Sequence, residues 1–166
     1  GGAFGVVDTP QYRAMNPNGR VPVIEDDGFV LWESNAIVRY LMARHANGSA
    51  WYPEDIKARA TADKWMDWTT SSLAGPFRNV FWGVLRTPAA QQDWSAINAA
   101  IKECEDLLSM ANQALAAKPY LSGDEIGMAN TLGPETWKRC APHLTNAKAK
   151  SYELSHLRSN TMPQSP

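Results

Sequence analysis

Hydrophobic positions along the chain change period twice, and each change predicts a different element. Thr9 and Pro10 open a short helix, with Thr9 as the N-cap and Pro10 at the first helical position, where a missing N–H costs nothing. Pro17 pushes Asn16 out of the helical region and ends that helix near Met15. Val21, Val23 and Ile24, then Phe29, Val30 and Leu31, form two short apolar runs around Asp26-Asp27-Gly28. An Asp-Gly pair between apolar runs predicts a β-hairpin. The runs are nearly continuous rather than alternating, which predicts strands covered on both faces.

From Ser34 the apolar spacing becomes three and four. Ala36, Ile37, Tyr40, Leu41 and Arg44 predict a helix, and Asn47-Gly48 stops it. Trp51-Tyr52-Pro53 reads as a linker with aromatic anchors. The helical period resumes from about Glu54 to Arg86, through Trp65, Trp68, Leu73, Phe77, Val80, Phe81 and Val84, with Gly75-Pro76 predicting a kink or break. From Trp94 to Ala117, Ile97, Ile101, Cys104, Leu108, Ala111 and Leu115 form one apolar stripe, and Pro119 follows its end. After Ala129 the pattern weakens, with Pro134 and Pro142 interrupting it and residues 161–166 reading as a disordered tail. The expected fold class is mixed α/β: a partial α/β unit over 1–48, an all-helical segment over 54–150, and a tail over 151–166.

Composition narrows the function. Hydrophobic residues make up 44% of the chain and seven are Trp, enough for a sizeable core. The formal net charge is -1, so no basic face is expected and neither nucleic acid nor an anionic membrane is an expected partner. No apolar run approaches the ~20 residues of a membrane span, and no signal peptide is visible, so the expected location is cytoplasmic. Cys104 and Cys140 share no CxxC or metal-like spacing. Two free thiols in a reducing compartment are expected, and dithiol oxidoreductase chemistry is not. His45, His143 and His156 form no cluster with cysteines or acidic groups, so no metal site is expected.

Two features carry candidate chemistry. The first is Asn16-Pro17-Asn18-Gly19-Arg20-Val21-Pro22. Pro22 removes a ladder donor just before a strand, which predicts an edge, a bulge or a cis bond. A cis Pro22 turns the backbone of Val21 outward, where its N–H and C=O can pair with a ligand's own peptide groups as an added strand would. The second is Glu33-Ser34-Asn35 at a helix start. The helix N-terminus offers unpaired N–H groups to a carboxylate, the Ser34 hydroxyl adds a donor, and Glu33 adds an anion suited to an ammonium group. Carboxylate and ammonium together describe an amino-acid head group, and Arg20 is a second cationic contact. Alone, Ser34 reads as an N-cap and NPxG as a turn. Their order across a hairpin gives the pair its meaning.

At these residues the chain resembles a known family. NPNGRVPVIEDDGFVLWESNAIVRYL is similar to the glutathione-binding half of cytosolic glutathione transferases, with its NPxGxVPxL loop, hairpin and ES step into a helix. WYPEDIKARATADKWMDW resembles the family's entry into its all-helical domain, and YLSGDEIGMAN its Gly-Asp turn and Ala-Asp helix start. The resemblance spans roughly residues 4 to 130 and is closest to bacterial members. It implies a remnant of a thioredoxin-like glutathione-binding domain followed by an all-helical C-terminal domain. It implies that Val21, beside cis Pro22, pairs with the cysteinyl part of glutathione. Glu33 and Ser34 would hold the γ-glutamyl head group, with Arg20 and Asn35 at the rim. Residues after Trp65 would border a site for a small electrophile. Glutathione would be a co-substrate, with no other cofactor and no metal, and the complete protein a homodimer.

The chain also departs from the family. Its members open with a strand–helix–strand unit carrying a Ser, Tyr or Cys that hydrogen-bonds the glutathione sulfur and favours the thiolate. Residues 1–7 hold no such side chain, and Tyr12 lies on another helix. The catalytic residue is therefore expected outside this chain. Asn130 stands where the family has Asp, and the last ~35 residues do not match its final helices. Conjugation of glutathione to electrophiles, impaired in this chain, is the leading expectation, with a non-catalytic glutathione-binding or dimerisation module as the alternative.

Overall fold

The computed structural model describes residues 5–129. Asn130, Pro134, Cys140, Pro142, His143, His156, the tail 151–166 and the far end of the expected helical segment lie outside the described residues. Helix α1 (Pro10–Met15) begins as its sequence predicts: Thr9 Oγ1 accepts the Tyr12 N–H at 3.2 Å, and Pro10 occupies the first turn. Strands β1 (Val23–Asp26) and β2 (Phe29–Trp32) pair antiparallel, from Val23↔Trp32 to Asp26↔Phe29. That register leaves Asp27 and Gly28 as a two-residue turn with φ of +51° and +83°. Positive φ at both positions matches the twist of the strands, and Asp-Gly supplies it at low cost. The strands are not covered on both faces. Glu25 and Phe29 are exposed and the other strand residues only half-buried, because two strands and one flanking helix have too little surface to enclose each other. Val21 also falls outside β1.

Helix α2 (Ser34–His45) packs back on the hairpin. The Tyr40 hydroxyl donates to Asp26 at 2.7 Å, Arg44 pairs with Asp26 and reaches the Tyr40 oxygen at 2.8 Å, and the Phe29 and Tyr40 rings lie 5.3 Å apart. Helix α3 (Ile56–Trp68) is capped by Asp55, whose carboxylate accepts the Ala58 N–H at 2.7 Å. A core of Ala62, Met66, Met128 and Ala129, flanked by Val38 and Met42 of α2 and by Trp65, seats α2 and the segment before residue 130 on α3.

Near Gly75-Pro76 the regular α-helix is interrupted while the helical run itself continues. α3 passes through a π-helical turn, Thr69–Leu73, into α4 (Ala74–Phe81) and a second π-helical turn, Trp82–Arg86, with the junction residues all in the right-handed helical region. The wider turn just before Pro76 accommodates a ring that would crowd the carbonyl of a regular α-turn. Helix α5 (Trp94–Ala117) starts at Asp93, which accepts the N–H groups of Ser95 and Ala96 at 3.0 and 3.1 Å. Its stripe Ile97, Ala100, Ile101 and Cys104 packs on Leu73 and Val80, with Trp68, Phe77 and Leu107 around them. No strand interrupts residues 54–117.

Candidate functional site

The hairpin register brings the two candidate features together. Val23↔Trp32 is the last pair of the ladder, so Val21 and Pro22 lead into the hairpin at the same end at which Glu33 and Ser34 leave it. The open end of the hairpin thus collects the loop and the helix start. The Val21–Pro22 bond is cis, which decides among the edge, bulge and cis alternatives. Val21 is 69% exposed, and its backbone takes no part in the turn and cap hydrogen bonds of this segment. An exposed, unladdered peptide of this kind is a place where a ligand's amide groups can add on.

The loop before Val21 is held from below by Asn16, the buried polar residue of this segment at 3% exposure. Its N–H donates to Tyr12 O at 2.9 Å and its C=O accepts from Gly19 at 2.9 Å. Its side-chain oxygen accepts the Asn18 N–H at 3.0 Å, and its Nδ2 donates to Arg20 O at 2.7 Å. The Tyr12 hydroxyl donates to the same Arg20 carbonyl at 2.8 Å. Gly19 is required here: φ is +60°, and a Cβ would lie 3.0 Å from the Arg13 guanidinium and 3.1 Å from Val7 O. The Arg20 guanidinium is exposed and has no partner among the described residues.

At the helix, Ser34 is the first helical residue and not the cap. Glu33 takes the cap position, with φ +74° and ψ 116° and no side-chain hydrogen bond to the helix. A non-glycine residue held there costs about 1–3 kcal/mol, and such strain gathers at ligand sites. Helices α1, α3 and α5 are closed by the side chains of Thr9, Asp55 and Asp93, whereas the leading N–H groups of α2 are not. Glu33 and Ser34 are exposed, and the Ser34 hydroxyl is unpartnered among the described residues. The arrangement offers N–H donors, a hydroxyl and a carboxylate within one turn, a set suited to an amino-acid head group.

Asn35 points elsewhere: its Nδ2 donates to Met66 O in α3 at 2.7 Å. One turn on, Arg39 pairs with Asp63 and Asp67, both at 2.5 Å. Burial opposes the Arg39 charge, but hydrogen bonds to Asp67 and Asp63 outweigh it and raise its pKa. These contacts fix the start of α2 on the helical segment. The sequence placed Asn16 in the loop motif and Tyr12 on the preceding helix, without the hydrogen bonds both make to Arg20 O. Asn16, directly before a proline at a helix end, carried a visible signal. The Tyr12 hydroxyl carried none, because its partner is a carbonyl brought near by the loop. Cys104 is 1% exposed, and burial, with Glu103 adding to it, pushes its thiol up to about 11, which makes it a core residue rather than a nucleophile. Among the described residues no group of His, Cys, Asp or Glu could hold a metal ion, and no helix is long and apolar enough to cross a membrane.

This geometry has counterparts in known proteins. Residues 4–43 match the family model "Glutathione S-transferase, N-terminal domain". The chain is 42% identical over 132 residues to glutathione S-transferase GstB of Escherichia coli, covering 78% of this chain and 63% of that protein. It is 26% identical over 153 residues to human glutathione S-transferase theta-2, covering 87% and 57%. The chain thus spans somewhat less than two thirds of these curated relatives. Among solved structures it is similar to the theta class glutathione S-transferase of the citrus canker pathogen Xanthomonas axonopodis pv. citri with glutathione bound. There the identity is 50% and the TM-score 0.78, covering 90% of this chain and 76% of that one. With half its residues identical over three quarters of that structure, the chain belongs to the glutathione S-transferase family.

Proposed function

We propose that this chain holds glutathione across the open end of the hairpin, as part of a protein that conjugates glutathione through its thiol to small electrophiles. The observation that carries the reading is the meeting of two unused donor sets. One is the exposed, unladdered backbone of Val21 beside cis Pro22, and the other is the uncapped start of α2. In this reading Val21 pairs through N–H and C=O with the cysteinyl residue. Ser34 and the first amides of α2 receive the γ-glutamyl carboxylate, and Glu33 receives its ammonium group. Arg20 stands at the rim as the cation for the second carboxylate. Asn35 acts from behind, holding α2 on Met66. The glutathione found in the Xanthomonas relative supports the same ligand here.

The reaction is nucleophilic substitution. The thiol gives its proton to solvent, and the thiolate sulfur forms a bond to an electrophilic carbon while the leaving group departs with its electron pair. The described residues supply orientation of the peptide. Aromatic and apolar residues after Trp65 border the electrophile. The family supports a homodimer working in the cytoplasm. Binding without turnover is the second reading. It is favoured by one observation: Tyr12 and Cys104, both chemically able to assist a thiol, are committed to Arg20 O and to the helical core.

Titration with reduced glutathione, followed by conjugation to a chlorodinitrobenzene, tests both readings. Saturable binding with turnover supports the transferase. Saturable binding without turnover supports the second reading. Absence of saturable binding defeats both.

A further inference from the structure

We propose that the Tyr12 hydroxyl is a positioning residue for glutathione, acting through the Arg20–Val21 peptide; this rests on the functional reading above. A peptide unit is one rigid plane, so the Arg20 carbonyl and the Val21 N–H point in opposite directions along it. The carbonyl is held at both lone pairs, by Asn16 Nδ2 at 2.7 Å and by Tyr12 Oη at 2.8 Å. Fixing the oxygen toward Tyr12 and Asn16 therefore aims the Val21 N–H away from them.

The two donors are not equivalent. Asn16 is buried and uses its backbone N–H, its backbone carbonyl and both side-chain atoms to hold the loop, so it is needed for the fold of this segment. Tyr12 adds a second donor to a carbonyl that already has one, on an exposed side of the loop. The loop does not need that bond to close. Its effect falls on the peptide: a carbonyl accepting twice is more polarised, and the N–H across the same plane becomes a better donor. The hydroxyl thus both stops the plane from rocking and strengthens the group that meets the ligand's carbonyl. Because it touches neither the ligand nor the sulfur, Tyr12 is not a catalytic residue.

Tyr12→Phe removes the hydroxyl and keeps the ring. In the full chain, the Kd for reduced glutathione is expected to rise about threefold to tenfold, the size of one modest hydrogen bond, with the melting temperature nearly unchanged. A nitrogen–proton NMR spectrum separates positioning from general loosening. In the variant without ligand, the Val21 amide should move upfield as its donor strength falls, while the Ser34 and Asn35 amides stay in place and still respond to glutathione. Equal affinity in the two proteins overturns the proposal. So does a loss of affinity accompanied by lower melting temperature and displaced Ser34 and Asn35 amides, which marks a structural role. If the unmodified chain shows no response to glutathione, the functional reading fails by itself. The ligand-free Val21 shift then decides whether Tyr12 sets this peptide, and an unmoved Val21 amide overturns that too.

Discussion

Asn35→Ala tests whether helix α2 owes its placement to one side-chain hydrogen bond. The bond joins residues 31 apart in sequence, from Asn35 Nδ2 to Met66 O at 2.7 Å. The acceptor belongs to a residue with 0% exposure, so water has poor access to replace the lost donor. Leaving a buried acceptor short of a partner costs about 1–3 kcal/mol. The Arg39 pairs to Asp63 and Asp67, one turn on, still hold α2 against α3 and pull the expected loss toward about 1–2 kcal/mol. For a chain of this size each kcal/mol shifts the melting temperature by about 2–4 °C, so a fall of about 2–8 °C is expected. Thermal unfolding followed by circular dichroism reads it directly. Asn35→Asp gives an independent measure, because it keeps the shape but sets an acceptor against an acceptor, and should cost at least as much. The glutathione affinity of both variants should fall, since the helix start they loosen is the one proposed to receive the head group. A loss below about 0.5 kcal/mol, the range of ordinary surface substitutions, would refute the idea that this bond seats α2.

Other outcomes follow from the same geometry. Ser34→Ala should weaken glutathione binding about fivefold, one unreplaced hydrogen bond, with little change in melting temperature by calorimetry. Gly83→Ala places a Cβ 2.6 Å from Ile97 Cγ1 and 3.0 Å from its Cδ1. The overpacking between the second π-helical turn and α5 should cost about 1–3 kcal/mol in urea unfolding, unless Ile97 changes rotamer freely. Cys104 has a thiol raised to about 11 from an ordinary 9.0, so the unfolded chain releases this proton first. Stability should therefore fall as pH rises from about 9 to 11, and Cys104→Ala should flatten that slope in pH-dependent denaturation. Native Cys104 should also resist thiol reagents at neutral pH until the chain is unfolded.

Most of the local structure was legible because its causes are local. Thr9-Pro10 caps α1, Asp27-Gly28 takes the two positive φ values of a tight hairpin, and α5 runs as its apolar stripe runs. The loop before Pro22 and the start of α2 were legible as neighbours, since the hairpin between them returns the chain to the same end. What misled was context. The apolar strands suggested coverage that two strands cannot obtain. Ser34 resembled a cap, but the chain reaches the helix through a strained Glu33, and Ser34 lands one residue inside. The bond from Asn35 to Met66 was not legible, because Met66 lies on a helix whose approach no local pattern encodes. Gly75-Pro76 signalled an interruption, and the relief comes just before the proline as a wider turn.

That wider turn sets the phase of the whole rod. In an uninterrupted α-helix, Met66 and Leu73, seven residues apart, would share a face. Here Met66 faces the core that seats α2, and Leu73 faces the core built on α5. A π-helical turn carries one residue more than an α-turn, and each residue is worth about 100° of rotation. The inserted residue acts as a clutch: the helical run turns its apolar side from one neighbour to another. Trp65 and Trp68, 5.3 Å apart and edge to face, straddle the changeover, one packed on each core. Deleting Thr70 would restore the α phase and swing everything after it by about a quarter turn, leaving the chain to choose which of its two cores to keep.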